Sequence, residues 1–105
     1  MSELSGLHYQ LRPYAENLVQ IGRANGPVRV TSVLRSYQTQ ARLYRAYLAG
    51  RSAYPAAPPG TSYHEYGRAF DIEGPSWLIS ALGRLWESWG GTWGAKFGDP
   101  IHFQA

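Results

Sequence analysis

A chain of 105 residues with a net charge of +3 and no cysteine has room for one small domain, and it can form neither disulfides nor thiolate metal sites. Its hydrophobic fraction of 44% is typical of a folded globular chain, and no stretch approaches the roughly eighteen apolar residues of a membrane span. We therefore expect residues 1–105 to form a single domain, monomeric and not inserted in a membrane.

The net charge of the chain and its first seven residues limit the binding partners and the cellular location that we expect. The positive charge favours a polyanionic partner, but the ten basic residues are scattered singly, without the stripe typical of nucleic-acid modules, so we expect no nucleic-acid partner. Residues 1–7 lack the basic start and apolar core of a secretory signal, which predicts a protein made in the cytoplasm.

The first half of the chain predicts a helix, a strand and a second helix. Pro13 opens the first helix and Asn25-Gly26 ends it. The β-branched residues of 28–34 predict a strand that delivers Arg35 at its carboxyl end. Ser36 is a suitable N-cap for a second helix running to Ala49, whose expected apolar face consists of Leu43, Tyr44, Tyr47 and Leu48.

The second half predicts a loop, a third helix and short strands. The proline-rich residues 50–61 form the loop, which we expect to line a cleft, and a strand follows over 68–73. Gly74-Pro75-Ser76 starts the helix, with an apolar face of Leu78, Ile79, Leu82, Leu85, Trp86 and Trp89. Thr92-Trp93 is a short strand, a loop contains Lys96, and 101–104 is the last strand. These elements predict an α+β domain with three helices against a small, mostly antiparallel sheet.

Two of the three histidines and two carboxylates lie beside residues that bend the chain. His64 and Asp71 are seven apart and would point to opposite faces of a straight strand, but a turn at Gly67 lets them meet. Pro100 allows the same for Asp99 and His102. His64, Asp71 and His102 then supply three ligands and leave a fourth position for water, the pattern of a catalytic zinc site. Asp99 remains as a base.

Three segments carry a resemblance to a known family: Ser62-x-His64-x-x-Gly67-x-Ala69-x-Asp71, Trp89-Gly90-Gly91-x-Trp93 and Asp99-x-x-His102-Phe103. They resemble the zinc peptidases of the D-alanyl-D-alanine carboxypeptidase and L-alanyl-D-glutamate endopeptidase family, which includes phage endolysins. Upstream, the segment from Arg35 through Gln40 to Gly50-Arg51 is similar to the one that supplies that family's substrate-binding arginine. The resemblance covers roughly residues 28 to 104.

The resemblance implies the fold shared by these peptidases and the hedgehog signalling domain. It also implies one zinc ion on His64, Asp71 and His102, Asp99 as general base and Arg35 in the substrate pocket. Many relatives have glutamate where Asp99 stands, although the endopeptidase branch commonly has aspartate. The expected reaction is hydrolysis of a stem-peptide amide bond in bacterial peptidoglycan, in the cell wall after release of a phage or bacterial lytic enzyme.

Several alternatives stay open at the level of sequence. The activity expected is that of an endolysin-type L-Ala-D-Glu endopeptidase, with D-Ala-D-Ala carboxypeptidase as the alternative. A hedgehog-like binding module that keeps zinc but lacks turnover is the rival from another class. The chain is also compatible with being the catalytic piece of a longer protein.

Other polar residues have a structural interpretation beside the functional one. Ser62 and Gln40 are candidates for hydrogen bonds to substrate or to the ligands, or for ordinary structural roles. Asp99 before Pro100 is also a common way to open a turn, and Arg35 is equally suited to pairing with a carboxylate. We expect His8, Glu65 and Glu73 to have no part in the site, the two glutamates being solvated.

Overall fold

A computed structural model describes residues 2–105 of the chain. This part contains three α-helices and four β-strands, in the order α1 (Arg12–Asn25), β1 (Arg29–Ser32), α2 (Tyr37–Leu48), β2 (Ala69–Glu73), α3 (Ser76–Ser88), β3 (Thr92–Trp93) and β4 (His102–Gln104). Short 3-10 helices lie at Ser2–Leu4, Tyr63–Tyr66 and Gly94–Phe97. No helix within 2–105 combines the length and apolar character needed to cross a membrane.

The four strands form one antiparallel sheet in the order β1-β2-β4-β3, which confirms the predicted α+β class. In this register Asp71 of β2 lies opposite His102 of β4. A bulge between Val30 and Ser32 of β1 places Ser32 beside Asp71 on the other edge of β2. Because side chains of directly opposed residues are neighbours, the pairing itself assembles a polar row across the sheet.

The opposite face of the sheet is covered by α1 and α3. Strand alternation sends Phe70 and Ile72 to this face, where Phe70 stacks on Phe103 with ring centroids 5.5 Å apart and meets Trp86 edge-on. The helices complete the core with Ala15, Leu18, Val19, Leu78, Ile79, Leu82 and Trp86, all buried. One apolar layer therefore holds the sheet rigid beneath the polar row.

The predicted bounds of α1 and α3 are confirmed, with Pro13 in the first turn of α1 and Pro75 immediately before α3. Trp89 is an exception: the side chain expected on the apolar face of α3 is 37% exposed, because it lies past the end of the helix at the C-cap. The loop expected around Lys96 is also wrong in part, since Gly94–Phe97 winds into a 3-10 helix.

The strand β1 is shorter than the predicted 28–34. After Ser32 the backbone leaves the sheet, and the Arg35 N–H donates to the carbonyl of His64 at 3.0 Å. Beyond Ser32 the chain no longer pairs with β2 and instead forms this hydrogen bond to the turn that carries His64. The bond places Arg35 near Asp71.

The apolar face predicted for α2 is not buried in the structure. Leu43 and Tyr47 are 36% and 42% exposed, and the only buried residue of α2 is Gln40. The reason is that α2 lies against Arg35 and the proline-rich loop rather than against an apolar layer, so its buried contact is polar: the Gln40 amide donates to the Ala57 carbonyl at 2.9 Å.

Trp93 connects α3 to the end of the chain. Its indole lies on Gly83 of α3, where an added Cβ would come within 2.1 Å of the ring. The same indole N–H donates to the Pro100 carbonyl at 2.6 Å and so holds the turn between Asp99 and His102. Gly83 thus allows the close approach that orients this turn.

We expect Gly83→Ala to lower the free energy of unfolding by about 1–3 kcal/mol, because the clash with Trp93 outweighs the ~1 kcal/mol by which alanine favours a helix. Urea unfolding in the presence of a chelator measures this change in the free energy of unfolding without a contribution from bound metal. The control is Arg84→Ala, a change at the exposed neighbouring position, which should stay within roughly 0.5 kcal/mol of the parent. Equal stability of Gly83→Ala and the parent would contradict the packing argument.

Candidate metal centre

Three buried side chains predicted as ligands meet at one point. His64 comes from the 3-10 helix Tyr63–Tyr66, Asp71 from β2 and His102 from β4. The Asp71 Oδ1 atom lies 3.1 Å from His64 Nε2 and 3.4 Å from His102 Nδ1, and one donor atom from each residue lies within 4.8 Å of the others. Ligand atoms about 2.0–2.1 Å from a tetrahedral zinc ion are roughly 3.3 Å apart, so this donor set fits such an ion.

The local sequence explains how His64 reaches Asp71. Ser62 caps the 3-10 helix by accepting from the His64 N–H at 3.2 Å, and the Glu65 carboxylate accepts from the Ser62 N–H at 3.3 Å, a capping box. Gly67 ends the turn with φ of +67°, a conformation that glycine adopts without strain. The predicted turn at Gly67 is confirmed, and it leads directly into β2.

The expectation that the Glu65 side chain is solvated is wrong in part, because its carboxylate is hydrogen-bonded to the backbone. Its carboxylate also accepts from the Gly60 N–H, at 2.8 Å, and so ties the end of the proline-rich loop to the turn that carries His64. These backbone bonds give the Glu65 carboxylate a structural role at the start of the turn. Ser62 is buried and has the capping role, while its contact with substrate stays a prediction.

Each histidine has a second partner that orients its ring. His64 Nδ1 lies 2.7 Å from the Val33 carbonyl, and because a carbonyl only accepts, Nδ1 carries a hydrogen, while Nε2 faces Asp71. His102 Nε2 lies 2.7 Å from Gln104 Oε1, which leaves Nδ1 turned to Asp71. Partners of this kind fix the tautomer in metal sites. The sequence analysis missed Gln104, although strand alternation places it on the same face as His102.

Arg35 holds the other oxygen of the Asp71 carboxylate. Its guanidinium donates to Asp71 Oδ2 at 2.9 Å, to Ser32 Oγ at 3.0 Å and to Gln40 Oε1 at 3.1 Å. These bonds use three of five N–H donors, and the side chain still lines the cavity described below. The structure therefore gives Arg35 and Gln40 a positioning role around Asp71, and their contact with substrate remains a prediction.

The charges around Asp71 determine its protonation. Burial acts to raise the pKa of Asp71, but hydrogen bonds from His102 and His64 and the charges of His64 and Arg35 outweigh it and lower the pKa to about 2. For His102, burial acts to lower the pKa, yet hydrogen bonds to Asp71 and Gln104 raise it above the ordinary value. A proton and a cation therefore compete for the space between the rings and Asp71.

Asp99 lies at the edge of this cluster, with Oδ2 4.0 Å from His102 Nδ1. Its Oδ1 atom is buried and has no hydrogen-bond partner within residues 2–105. Burial and the negative charge of Asp71 raise the pKa of Asp99 above the ordinary value for aspartate. A partly buried carboxylate with a free oxygen and a raised pKa is suited to accepting a proton.

A cavity of about 390 Å³ opens over the cluster, lined among others by His64, Asp99 and His102. The loop residues Pro55 and Ala56 and the α2 residue Tyr47 form part of its wall, which confirms that the proline-rich loop borders a cleft. The predicted ligands, the predicted base, Arg35, Gln40 and Ser62 are thus brought to one place.

Comparisons with known proteins identify the family and the fold of the chain. The model of the family described as "VanY: D-alanyl-D-alanine carboxypeptidase" matches residues 5–94. No curated protein matches the chain.

Three solved structures illustrate the similarity in fold. The LD-carboxypeptidase LdcB has a TM-score of 0.73 and 22% identity, and the match covers 95% of this chain and 65% of LdcB. The D,D-pentapeptidase VanY E175A mutant from the VanB-type resistance cassette, in complex with Zn(II), has a TM-score of 0.70 and 22% identity, with coverage of 93% and 71% respectively. The Serratia marcescens L-Ala D-Glu endopeptidase ChiX has a TM-score of 0.62 and 23% identity, with coverage of 98% and 83% respectively. Across these and related structures the chain spans from 49% to 83% of the other chain's length.

We expect Gln104→Leu to weaken zinc binding about 10- to 100-fold, because His102 loses the acceptor that keeps Nδ1 turned to Asp71. Competition with a chelator measures the dissociation constant, and nitrogen NMR of the ion-free protein reports the His102 tautomer. Gln104→Glu retains an acceptor and should bind nearly as the parent does, and Gln38→Leu on the exposed side of α2 controls for loss of an amide. Parent-like affinity of Gln104→Leu would refute the role.

The lowered pKa of Asp71 predicts a specific acid dependence of stability. The ionised carboxylate stabilises the ion-free fold fully above the unfolded pKa near 3.8, and this contribution is lost as the pH falls to about 2. The difference in free energy of unfolding between the parent and Asp71→Asn should therefore shrink by roughly 2 kcal/mol between pH 5 and pH 2. Denaturant unfolding of both proteins across that range tests it, and a constant difference would show that Asp71 does not titrate with a depressed pKa.

Proposed function

The chain belongs to the D-alanyl-D-alanine carboxypeptidase family, and from this membership we propose that it is a zinc-dependent peptidase that hydrolyses an amide bond in the stem peptides of bacterial peptidoglycan. The observation that carries the proposal is the free, buried Oδ1 of Asp99 beside the cluster of His64, Asp71 and His102. A module that only binds zinc needs no base, so this carboxylate favours an enzyme over a hedgehog-like binding module.

His64, Asp71 and His102 would hold the ion, and the remaining residues handle protons and substrate. When bound, zinc supplies Lewis acidity and lowers the pKa of a water molecule. Asp99 accepts one proton from the attacking water as the new carbon–oxygen bond forms, and it returns that proton to the amine nitrogen as the carbon–nitrogen bond breaks. Arg35 keeps Asp71 oriented, and its remaining donors face a substrate carboxylate or the developing oxyanion.

Within the family we favour an L-Ala-D-Glu endopeptidase of the endolysin type. The histidines line the cavity of about 390 Å³, whereas Asp71 lines two further cavities of about 610 and 120 Å³ that also border Arg35. Concave surface that approaches the cluster from two directions accommodates a peptide on both sides of the cut bond. A D-Ala-D-Ala carboxypeptidase is the second candidate, favoured by the description of the matching family.

The proposal also includes the cellular location and the oligomeric state of the protein. We expect residues 1–105 to act as one catalytic domain, as a monomer and on the cell wall, whether as a phage or a bacterial lytic enzyme. Because the chain spans 49–83% of the length of the structures it resembles, its substrates are inferred from this domain alone.

Incubation with purified peptidoglycan followed by mass spectrometry of the products tests the reaction. Cleavage between L-Ala and D-Glu yields fragments that begin with D-Glu, whereas a carboxypeptidase releases free D-Ala. Asp99→Asn should keep the fold and the zinc content but lose about a hundredfold or more in rate, because the base is absent. Glu3→Gln removes an equal charge outside the cavities that border the site and should leave the rate unchanged.

No product from the zinc-loaded parent would reject the enzyme and favour the binding module. Near-parent turnover by zinc-loaded Asp99→Asn would remove Asp99 from the mechanism.

A further inference from the structure

Three aromatic side chains line the cavity of about 390 Å³ together with the metal cluster. Tyr47 comes from α2, Tyr63 from the 3-10 helix that carries His64, and Phe97 from the 3-10 helix just before Asp99. They are 42%, 39% and 47% exposed, and none of them belongs to the apolar core. Packing of the core therefore does not explain why three aromatic residues lie here.

Exposed aromatic residues also occur away from the site, so exposure alone is not evidence for a binding role. Tyr9 and Trp77 are 69% and 61% exposed and line none of the three cavities that border the metal cluster. Tyr63 is partly engaged in another contact, because the Arg68 guanidinium lies 5.0 Å from the centroid of its ring. The other two aromatic residues of the cavity are therefore the rings most available to a ligand.

The Phe97 ring is held in place beside a metal ligand. It meets the His102 ring edge-on, with ring centroids 5.7 Å apart. It also packs against Gly94, where an added Cβ would come within 3.0 Å of the Phe97 ring. Because these contacts fix the ring and still leave much of it exposed, a ligand that packs on Phe97 orders little additional side-chain motion.

The stem peptide of peptidoglycan offers little apolar surface to these rings. The side chains of L-Ala and D-Ala are single methyl groups, and D-Glu and the diamino acid that follows it are charged. The larger apolar faces of the polymer lie on its sugar rings, whose C–H bonds are attracted to the negatively polarised face of an aromatic ring. Two exposed aromatic rings in the cavity wall therefore match a sugar better than they match the peptide.

The position of the cut bond decides whether a sugar reaches Phe97. The muramyl sugar is joined to L-Ala through a lactyl group, so two units separate the sugar from the L-Ala carbonyl, about 7 Å at roughly 3.5 Å per extended unit. In the substrate of a D-Ala-D-Ala carboxypeptidase, the lactyl group and four residues intervene, about 17 Å on the same scale. Since the centroids of Phe97 and the ligand His102 are 5.7 Å apart, the first distance places the sugar against Phe97 and the second does not.

We propose that Tyr47 and Phe97 bind the muramyl sugar next to L-Ala, so that the enzyme prefers stem peptides still attached to the glycan. This inference rests on the proposed L-Ala-D-Glu endopeptidase and names a determinant of its substrate. The sugar packs on the two rings, the L-Ala carbonyl lies beside Asp99, and the peptide from D-Glu onward extends into the cavities that border Asp71.

Two matched substrates isolate the contribution of the sugar. N-acetylmuramyl-L-Ala-D-Glu-L-Lys is compared with the same tripeptide carrying only the lactyl group, and mass spectrometry measures kcat/KM for the cut between L-Ala and D-Glu. We expect the parent to prefer the muramyl substrate about tenfold, as two aromatic contacts allow, and Tyr47→Ala with Phe97→Ala to bring this ratio to about one. Tyr47→Phe with Phe97→Tyr retains both rings and should retain the preference.

The matched control is Tyr9→Ala with Trp77→Ala, which removes two exposed rings outside the cavities and should keep the parent ratio. Because one metal centre cuts both substrates, any effect of Phe97→Ala on His102 changes both rates and cancels in the ratio. A parent ratio near one, a parent-like ratio in the double alanine variant of Tyr47 and Phe97, or an equal loss in the control would overturn the sugar contact.

A binding measurement distinguishes failure of this inference from failure of the proposed function. Zinc-loaded Asp99→Asn protein is titrated with each of the two substrates, and calorimetry gives the dissociation constants. A parent that cuts neither substrate beside L-Ala would reject the endopeptidase. In that case, tighter binding of the muramyl substrate that is lost with Tyr47→Ala and Phe97→Ala would still support the sugar contact, and equal binding of the two substrates would overturn it.

Discussion

A buried carboxylate shared by two imidazoles and a guanidinium is the interaction on which the rest of the structure depends. Asp71 is nearly inaccessible, and a buried charge without partners costs several kcal/mol. His64, His102 and Arg35 compensate it, and each is supplied by a different part of the chain. The fold is therefore constrained to bring a turn, a strand end and a strand-to-helix junction to one point, the same point at which a cation fits.

The sheet provides the geometry for that convergence. The pairing of β2 with β4 sets Asp71 opposite His102, and a slip by one residue would turn both away from the site and expose Phe70. Because Phe70 and Phe103 are stacked in the core beneath, the hydrophobic face protects the register of the polar face. The same strand register is therefore required for core packing on one face of the sheet and for the site on the other face.

The α2 side of the molecule follows a different principle. Helices α1 and α3 are attached by apolar burial, whereas α2 is attached through the amide of Gln40, which bridges Arg35 and the Ala57 carbonyl. This polar attachment leaves most of the helix uncovered and links the loop over the cavity to the residue that orients Asp71.

The sequence by itself determined the α+β class, the helices α1 and α3 and the ligand candidates, because hydrophobic periodicity and the bends at Gly67 and Pro100 are local signals. Tertiary structure decided the rest. The exposure of α2, the capping role of Glu65 and the bond from Gln104 to His102 depend on neighbours distant in sequence or on the direction of a side chain, which periodicity does not specify. Arg35 illustrates the difference: its position at a strand-to-helix junction was readable, but its pairing with Asp71 arises only when β1 leaves the sheet and meets the turn of His64.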